Sequence, residues 1–313
     1  MDLPLGAVPP PDADAEPEGF VVLVEPGDRI HFLDWAGAAG PGDDERAPGA
    51  LLVHGLSQTA WTWTPVARRL RAAMPVVALD LRGHGLSDAP TDGYDPITFA
   101  DDVVAVAEGS GLLAGERDRV VLAGHGFGAI VASWAARELG PRCAGLLLVD
   151  GGWEDLELAS GMDPDEFLRG LDEPPEVLRS MTEFLADRTA FEPSSWDADQ
   201  ERAARATVVE THAGRVVPAT RPHALEACVR AMFEYEPRDT LAAVEATVLA
   251  LRAETDDDGS RAAALAEVSA WRVRHGRTAI SSRAFRGVGH NLMRYRPVEV
   301  AAAILALRAG SAD

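Results

Sequence analysis

The residues with the most chemical content lie at 119–134, RVVLAGHGFGAIVASW. The apolar run 120–123 reads as a buried strand, Gly124-His125-Gly126-Phe127-Gly128 as a tight turn, and 129–139 as a helix with small residues on its near face. Strand, glycine turn and helix are the setting of a nucleophile elbow, G-x-S-x-G, where a sharp turn exposes a serine hydroxyl. This chain spells G-H-G-F-G, and the attacking position is Gly126. Glycine takes up that backbone without strain but supplies no oxygen. A phosphate loop is the rival reading, yet the chain has neither its G-K-[ST] ending nor G-x-G-x-x-G.

The elements that must hold this turn can be traced in order. Residues 1–18 are rich in Pro, Asp and Glu and read as a solvated, disordered acidic tail. From Gly19, two strands flank a Pro-Gly-Asp turn as a hairpin. A short strand at 50–53 runs into His54-Gly55-Leu56-Ser57, and a helix follows at 61–71. Another strand, 75–80, precedes LRGHGLSD, and 97–113 reads as a helix with Phe99, Val103 and Val106 on one face. After the elbow come a strand at 145–149 and Asp150. Strands alternating with helices imply a mostly parallel sheet covered on both faces. Residues 153–238 are acidic, Pro-punctuated and helical in pattern, with no convincing strand, and read as a helical insertion. The sheet resumes with a strand at 247–251, a helix at 260–273, a strand at 278–285, a loop at 287–290 and a closing helix at 298–307. The core is therefore expected over 19–152 and 239–313.

Composition narrows the class. A chain of 313 residues can bury a sizeable core in one α/β domain with an insertion. The net charge of −21 argues against nucleic-acid partners and anionic membrane surfaces. The basic residues are all Arg. The two cysteines, Cys143 and Cys228, form neither a disulfide framework nor a metal-ligand spacing, so no metal and no cofactor are expected. No secretory leader and no membrane-length apolar run is visible, and a cytoplasmic protein is the expectation.

In its ordered pieces the chain resembles the α/β-hydrolase superfamily over roughly residues 20–309. LLVHGLS follows the third strand, DLRGHGLSD the fourth, then come GHGFG, LRAETD and GVGHNL. The resemblance implies a doubly wound α/β-hydrolase sheet with a helical lid at 153–238, after the sixth strand. It also implies His290 as the catalytic histidine, since imidazole titrates near working pH. Its acid would be Asp256, although the L-x-G-x-x-D pattern is written here Leu251-Arg252-Ala253-Glu254-Thr255-Asp256. Asp150 is the alternative acid, with capping of the exit toward the insertion as its plainer role. The backbone amides of Leu56 and Phe127 would form the oxyanion hole. His54, His84 and His125 read as structural. Ser57 is the alternative nucleophile, with a turn role favoured; Ser87 and Ser133 lie away from any elbow.

Loss of the nucleophile from a serine triad lowers turnover by roughly a million-fold, while an oxyanion hole with binding alone retains roughly 10³–10⁴ over water. An efficient acyl-enzyme is therefore excluded. Three readings remain: His290 activating water against a small apolar ester or carbonyl substrate, a His-dependent lyase, isomerase or cyclase, and a catalytically silent small-molecule binding protein.

Overall fold

Unbroken apolar runs without alternation must be covered on both faces. β3 (Gly49–Val53), β4 (Val76–Leu79), β5 (Val120–His125) and β6 (Cys143–Val149) are such runs, buried almost throughout. In the computed structural model they form the middle of an eight-stranded sheet of order β1-β2-β4-β3-β5-β6-β9-β10. The outer strands are β1 (Glu18–Val24), β2 (Asp28–Asp34), β9 (Val248–Glu254) and β10 (Ser281–Arg286). The structure describes the chain apart from residues 1–7, 38–46, 117, 172–179, 192, 255–258 and 311–313. The hairpin β1–β2 and the β2–β4 pair are antiparallel, and every other pair in this sheet is parallel.

Helices cover both faces. On one side a single turn of 3₁₀ helix (Ala60–Trp63) leads into α1 (Thr64–Leu70), which buries Trp63, Val66 and Leu70 beside Ile304 and Leu307. On the other, α2 (Pro96–Gly109) and α3 (Phe127–Leu139) bury Phe99, Val103, Ile130 and Trp134. Asp95 starts α2 by accepting from the amides of Ile97 and Thr98, with Pro96 at the position whose N–H would have no partner. β4 and β5 lie on opposite sides of β3. Successive strands are thus added on opposite sides of β3, and ligands in open α/β sheets bind beyond the carboxyl ends of strands at such a switch point.

Between β6 and β9 lie α4 (Leu156–Ser160), α5 (Pro164–Leu171), α6 (Met181–Phe191), α7 (Ala198–Ala206), β7 (Val208–Glu210), β8 (Val216–Pro218), α8 (Pro222–Phe233) and α9 (Pro237–Ala243). The antiparallel β7–β8 pair departs from the expected all-helical insertion. Strands of three residues are too short to leave an alternating pattern in the sequence. α4, α5 and α7 bury no residue fully, whereas α8 buries Ala224, Cys228, Val229 and Ala231 and anchors the excursion. The Tyr235 hydroxyl donates to the Gly152 carbonyl at 2.8 Å, tying the exit of the segment to its entry.

The last elements are α10 (Ser260–Arg274), the short α11 (Leu292–Tyr295) and α12 (Pro297–Ala309). The expected acidic tail also departs from expectation. Residues 8–17 run along α1: the Asp12 amide donates to the Arg68 carbonyl, Arg68 donates to the Ala15 carbonyl, and Ala15 is buried. Acidic residues there find arginines, with Glu16 on Arg68 and Arg202. No described helix is long and apolar enough to cross a membrane.

Candidate active site

The elbow is built by contact between backbones. A Cβ on Gly124 would come within 2.1 Å of the Gly128 carbonyl oxygen, and one on Gly128 within 2.3 Å of the His54 carbonyl oxygen. Helix α3 therefore starts almost on top of β5 and β3, and only glycine fits at the flanks. Gly126 sits between them at φ +53°, ψ −118°, the conformation in which a side chain would be held out at strain. A Cβ there would point to the imidazole of His290, 3.2 Å from Nε2 and 3.6 Å from Cε1.

His290 follows β10 in the loop before α11, its side chain more than half exposed at 57%. Its Nδ1 donates to Asp150 Oδ2 at 2.6 Å. That bond places the Nδ1–H tautomer and leaves the Nε2 lone pair facing Gly126. Asp150 follows β6 directly, in the left-handed region at φ +50°. The turn aims its carboxylate back into the protein, where Oδ1 accepts from the Ala253 amide and Arg261 Nη1, both at 2.8 Å. Burial by itself would raise the Asp150 carboxyl; the bond from His290, the charge of Arg261 and the Ala253 amide outweigh it and hold the group below the usual range.

The acid on the histidine is thus Asp150, which the sequence offered as the alternative. Asp256, favoured by the resemblance, lies outside the described residues. Ala253, at the glycine of the expected pattern, contributes its amide to Asp150.

Leu56 and Phe127 both line the cavity next to Gly126. Phe127 opens α3, so its N–H has no partner within the helix and is available to a ligand oxygen. Gln58 joins three segments that no motif or spacing in the chain connects. Its Oε1 accepts from the Gly55 amide at 3.1 Å and lies 3.0 Å from His125 Nδ1, and its Nε2 donates to Asn291 Oδ1 at 2.7 Å. His125 Nε2 lies 3.1 Å from the His290 carbonyl oxygen. Burial, and then the neighbouring His290, push His125 well below its ordinary range, so it is neutral and has one N–H for these two oxygens.

His54 and His84 act structurally behind the Leu56 loop. His54 Nε2 accepts from the Leu81 amide and His84 Nε2 from the Ser57 amide. Burial pushes His84 down to about 3. Asp80, buried between them and β2, accepts from His31 Nδ1 and from the amides of Ala60 and Leu86. Ser57 is exposed and is not part of the cavity wall, and Ser133 is spent inside α3 on the Ala129 carbonyl.

The cavity measures about 370 Å³. Phe127, Ile130, Leu156, Phe167, Leu171 and Met232 give it an apolar wall, with Asp150, Glu154, Arg261 and His290 at one end. Leu156, Phe167, Leu171 and Met232 come from the segment between β6 and β9. Trp63 and Trp153 are buried in the core away from the cavity wall, and Phe191 is exposed. No group of three or more metal-ligating side chains occurs among the described residues.

Comparison with known proteins identifies the fold and the family. A stretch of 87 residues is 36% identical to 2-(acetamidomethylene)succinate hydrolase of Mesorhizobium japonicum, covering 27% of this chain and 30% of that protein. N-formylmaleamate deformylase of Pseudomonas putida is 35% identical over 125 residues, 40% of this chain and 42% of that one. The matches thus span less than half the length of either relative. Among solved structures, E-2-(acetamidomethylene)succinate hydrolase superposes with a TM-score of 0.71 at 22% identity, covering 94% of this chain and all of that one. A thioesterase domain from curacin biosynthesis gives 0.67 at 18%, covering 93% and 99%. Both show the shared fold. A model of the alpha/beta hydrolase family matches residues 50–303, the stretch that holds the Leu56 loop, the elbow, Asp150 and His290, and the chain belongs to that family.

Proposed function

We propose that the protein hydrolyses a small, mostly apolar ester or related carbonyl compound by direct attack of water, with His290 as general base. The observation that carries this reading is the line from Gly126 to His290: a Cβ on Gly126 would lie 3.2 Å from Nε2, with Nδ1 held by Asp150. A water outward of Gly126, roughly where a serine hydroxyl would stand, is within reach of that lone pair. His290 takes one proton from it as the oxygen bonds to the substrate carbonyl carbon. The carbonyl oxygen, now negative, is held by the amides of Leu56 and Phe127. Asp150 stabilises the imidazolium, which returns the proton to the leaving group as the carbon–heteroatom bond breaks. Relatives named hydrolase and deformylase support water as the acceptor.

A panel of short-chain p-nitrophenyl esters tests this directly. Progress curves should be linear from the start, with no burst and no acylated protein on mass spectrometry. Turnover unchanged in His290→Ala, or a trapped acyl group, would rule the reading out. A protein that binds these esters without turning them over would be a binding protein on the same scaffold.

A further inference from the structure

This inference rests on the cavity being the substrate site and names the class of compound it accepts. Among the described residues lining it, Arg261 is the one permanent cation. A guanidinium carries five N–H donors. Here each has an oxygen. Nε and Nη2 meet Glu154 Oε1 and Oε2 at 3.0 and 3.1 Å, Nη1 meets Asp150 Oδ1 at 2.8 Å and the Ala253 carbonyl at 3.4 Å, and Nη2 meets the Asp150 carbonyl at 3.3 Å. The ring of Trp153 lies against the guanidinium, 5.3 Å from its centroid. Two carboxylates on one guanidinium leave this end of the cavity with a net negative charge.

We propose that Glu154 is a specificity-determining residue: by closing the fork of Arg261 it excludes carboxylate-bearing compounds and reserves the cavity for uncharged carbonyl compounds with an apolar chain. An entering carboxylate must shed its hydration, faces like charges on Asp150 and Glu154, and finds no guanidinium donor open. An uncharged chain loses nothing of that kind and gains by covering Phe127, Ile130, Phe167 and Met232. Glu154 is the adjustable member of the pair. Its side chain is 19% exposed and bonds Arg261 at the cavity wall, whereas Asp150 is 2% exposed and also holds His290.

Equilibrium binding of probes that cannot be hydrolysed tests this apart from catalysis. Calorimetry at pH 8 would compare 2-octanone and octanoate on wild-type protein and on Glu154→Gln. Wild type should bind the ketone at least tenfold more tightly than octanoate. Glu154→Gln, which frees a donor and removes the excess negative charge while Asp150 stays on Arg261, should tighten octanoate at least tenfold while leaving the ketone within about twofold. A merely structural Glu154 would weaken both. The proposal is overturned if octanoate matches the ketone on wild type, if the ratio does not move in the variant, or if no ketone binding is seen up to its solubility. Absence of ester turnover with these binding ratios intact would reject the hydrolytic reading and leave this one standing.

Discussion

The elbow and the histidine loop face each other across the cavity, and they are complete in different ways. On the elbow side the backbone is complete: glycines where strand and helix touch, φ +53° at Gly126, and the free amide end of α3. What is missing is one oxygen atom. On the histidine side the side chains are complete: His290 on Asp150 at 2.6 Å, and Asp150 on Ala253 and Arg261. The contrast shows that the turn geometry does not depend on a side chain at its apex. Close backbone packing of β5, α3 and β3 maintains it, and glycine relieves the strain that a serine would carry.

The largest effects should come from breaking the complete side. His290→Ala and Asp150→Asn should each lower kcat/KM on responsive esters by roughly 10²–10⁴, through loss of the base and of its tautomer. Asp256→Asn should leave the rate within about threefold. If instead Asp256→Asn is the damaging change, the acid has been misplaced.

Restoring the other side is the next test. Gly126→Ser should raise ester turnover and introduce a burst, because the new side chain points at Nε2 and the exposed His290 ring has room to yield to the 3.2 Å contact. A gain of a few kcal/mol of barrier, roughly a hundred-fold or more, is expected, against about 1–3 kcal/mol of backbone strain. A fluorophosphonate probe should label position 126 in the variant and nothing in the wild type. Wild-type labelling at Ser57 would show that a serine nucleophile operates after all. A variant that folds cooperatively yet shows neither burst nor turnover would make the frame a relic.

Acid should separate the two sides more gently. The Leu56 loop leans on His84, kept neutral by burial down to about 3. An unfolded histidine takes up a proton near 6.5, so stability from this group is full above that pH and is lost as pH falls from 6.5 toward 3. By pH 5 the loss is about 2 kcal/mol, and His54 and His125, also shifted downward by burial, act in the same direction. Asp150, with its folded pKa depressed, contributes stability above its unfolded value near 4 and loses it only below that. Urea unfolding at pH 7 and 5 should show the decline, and His84→Gln should reduce it. A flat profile between those values would mean that these histidines are not held neutral.

The smallest effect expected is in dynamics. Amides of α4, α5 and α7, which bury no residue, should exchange faster than those of α3 and α8. Equal protection across them would make the insertion a rigid part of the core and not a movable cover.

How much of this the sequence carried depends on the range of the physics involved. The central strands, the elbow turn and α2 could be read directly, because apolar runs, closely spaced glycines and the helical spacing of Phe99, Val103 and Val106 are local signals. His290 and Asp150 were legible as candidates at strand ends. Which acid reaches the imidazole was not, since the answer lies in the left-handed turn at Asp150 and in pairing between β6 and β9, which brings Ala253 beside it. Gln58 bonds to partners 67 and 233 residues away, and Glu154 reaches Arg261 across 107. Hydrogen bonds over such separations leave no periodicity or spacing in the chain. The acidic segment before β1 shows the same limit from composition: Pro, Asp and Glu predict solvation, and only the arginines of α1 and α7 decide that residues 8–17 pack. The sequence by itself determined the scaffold and the missing oxygen at Gly126. Tertiary structure alone decided that Asp150 holds His290 and that Glu154 and Asp150 share Arg261, because charge pairing is settled by which loops the folded sheet brings within three ångströms or so.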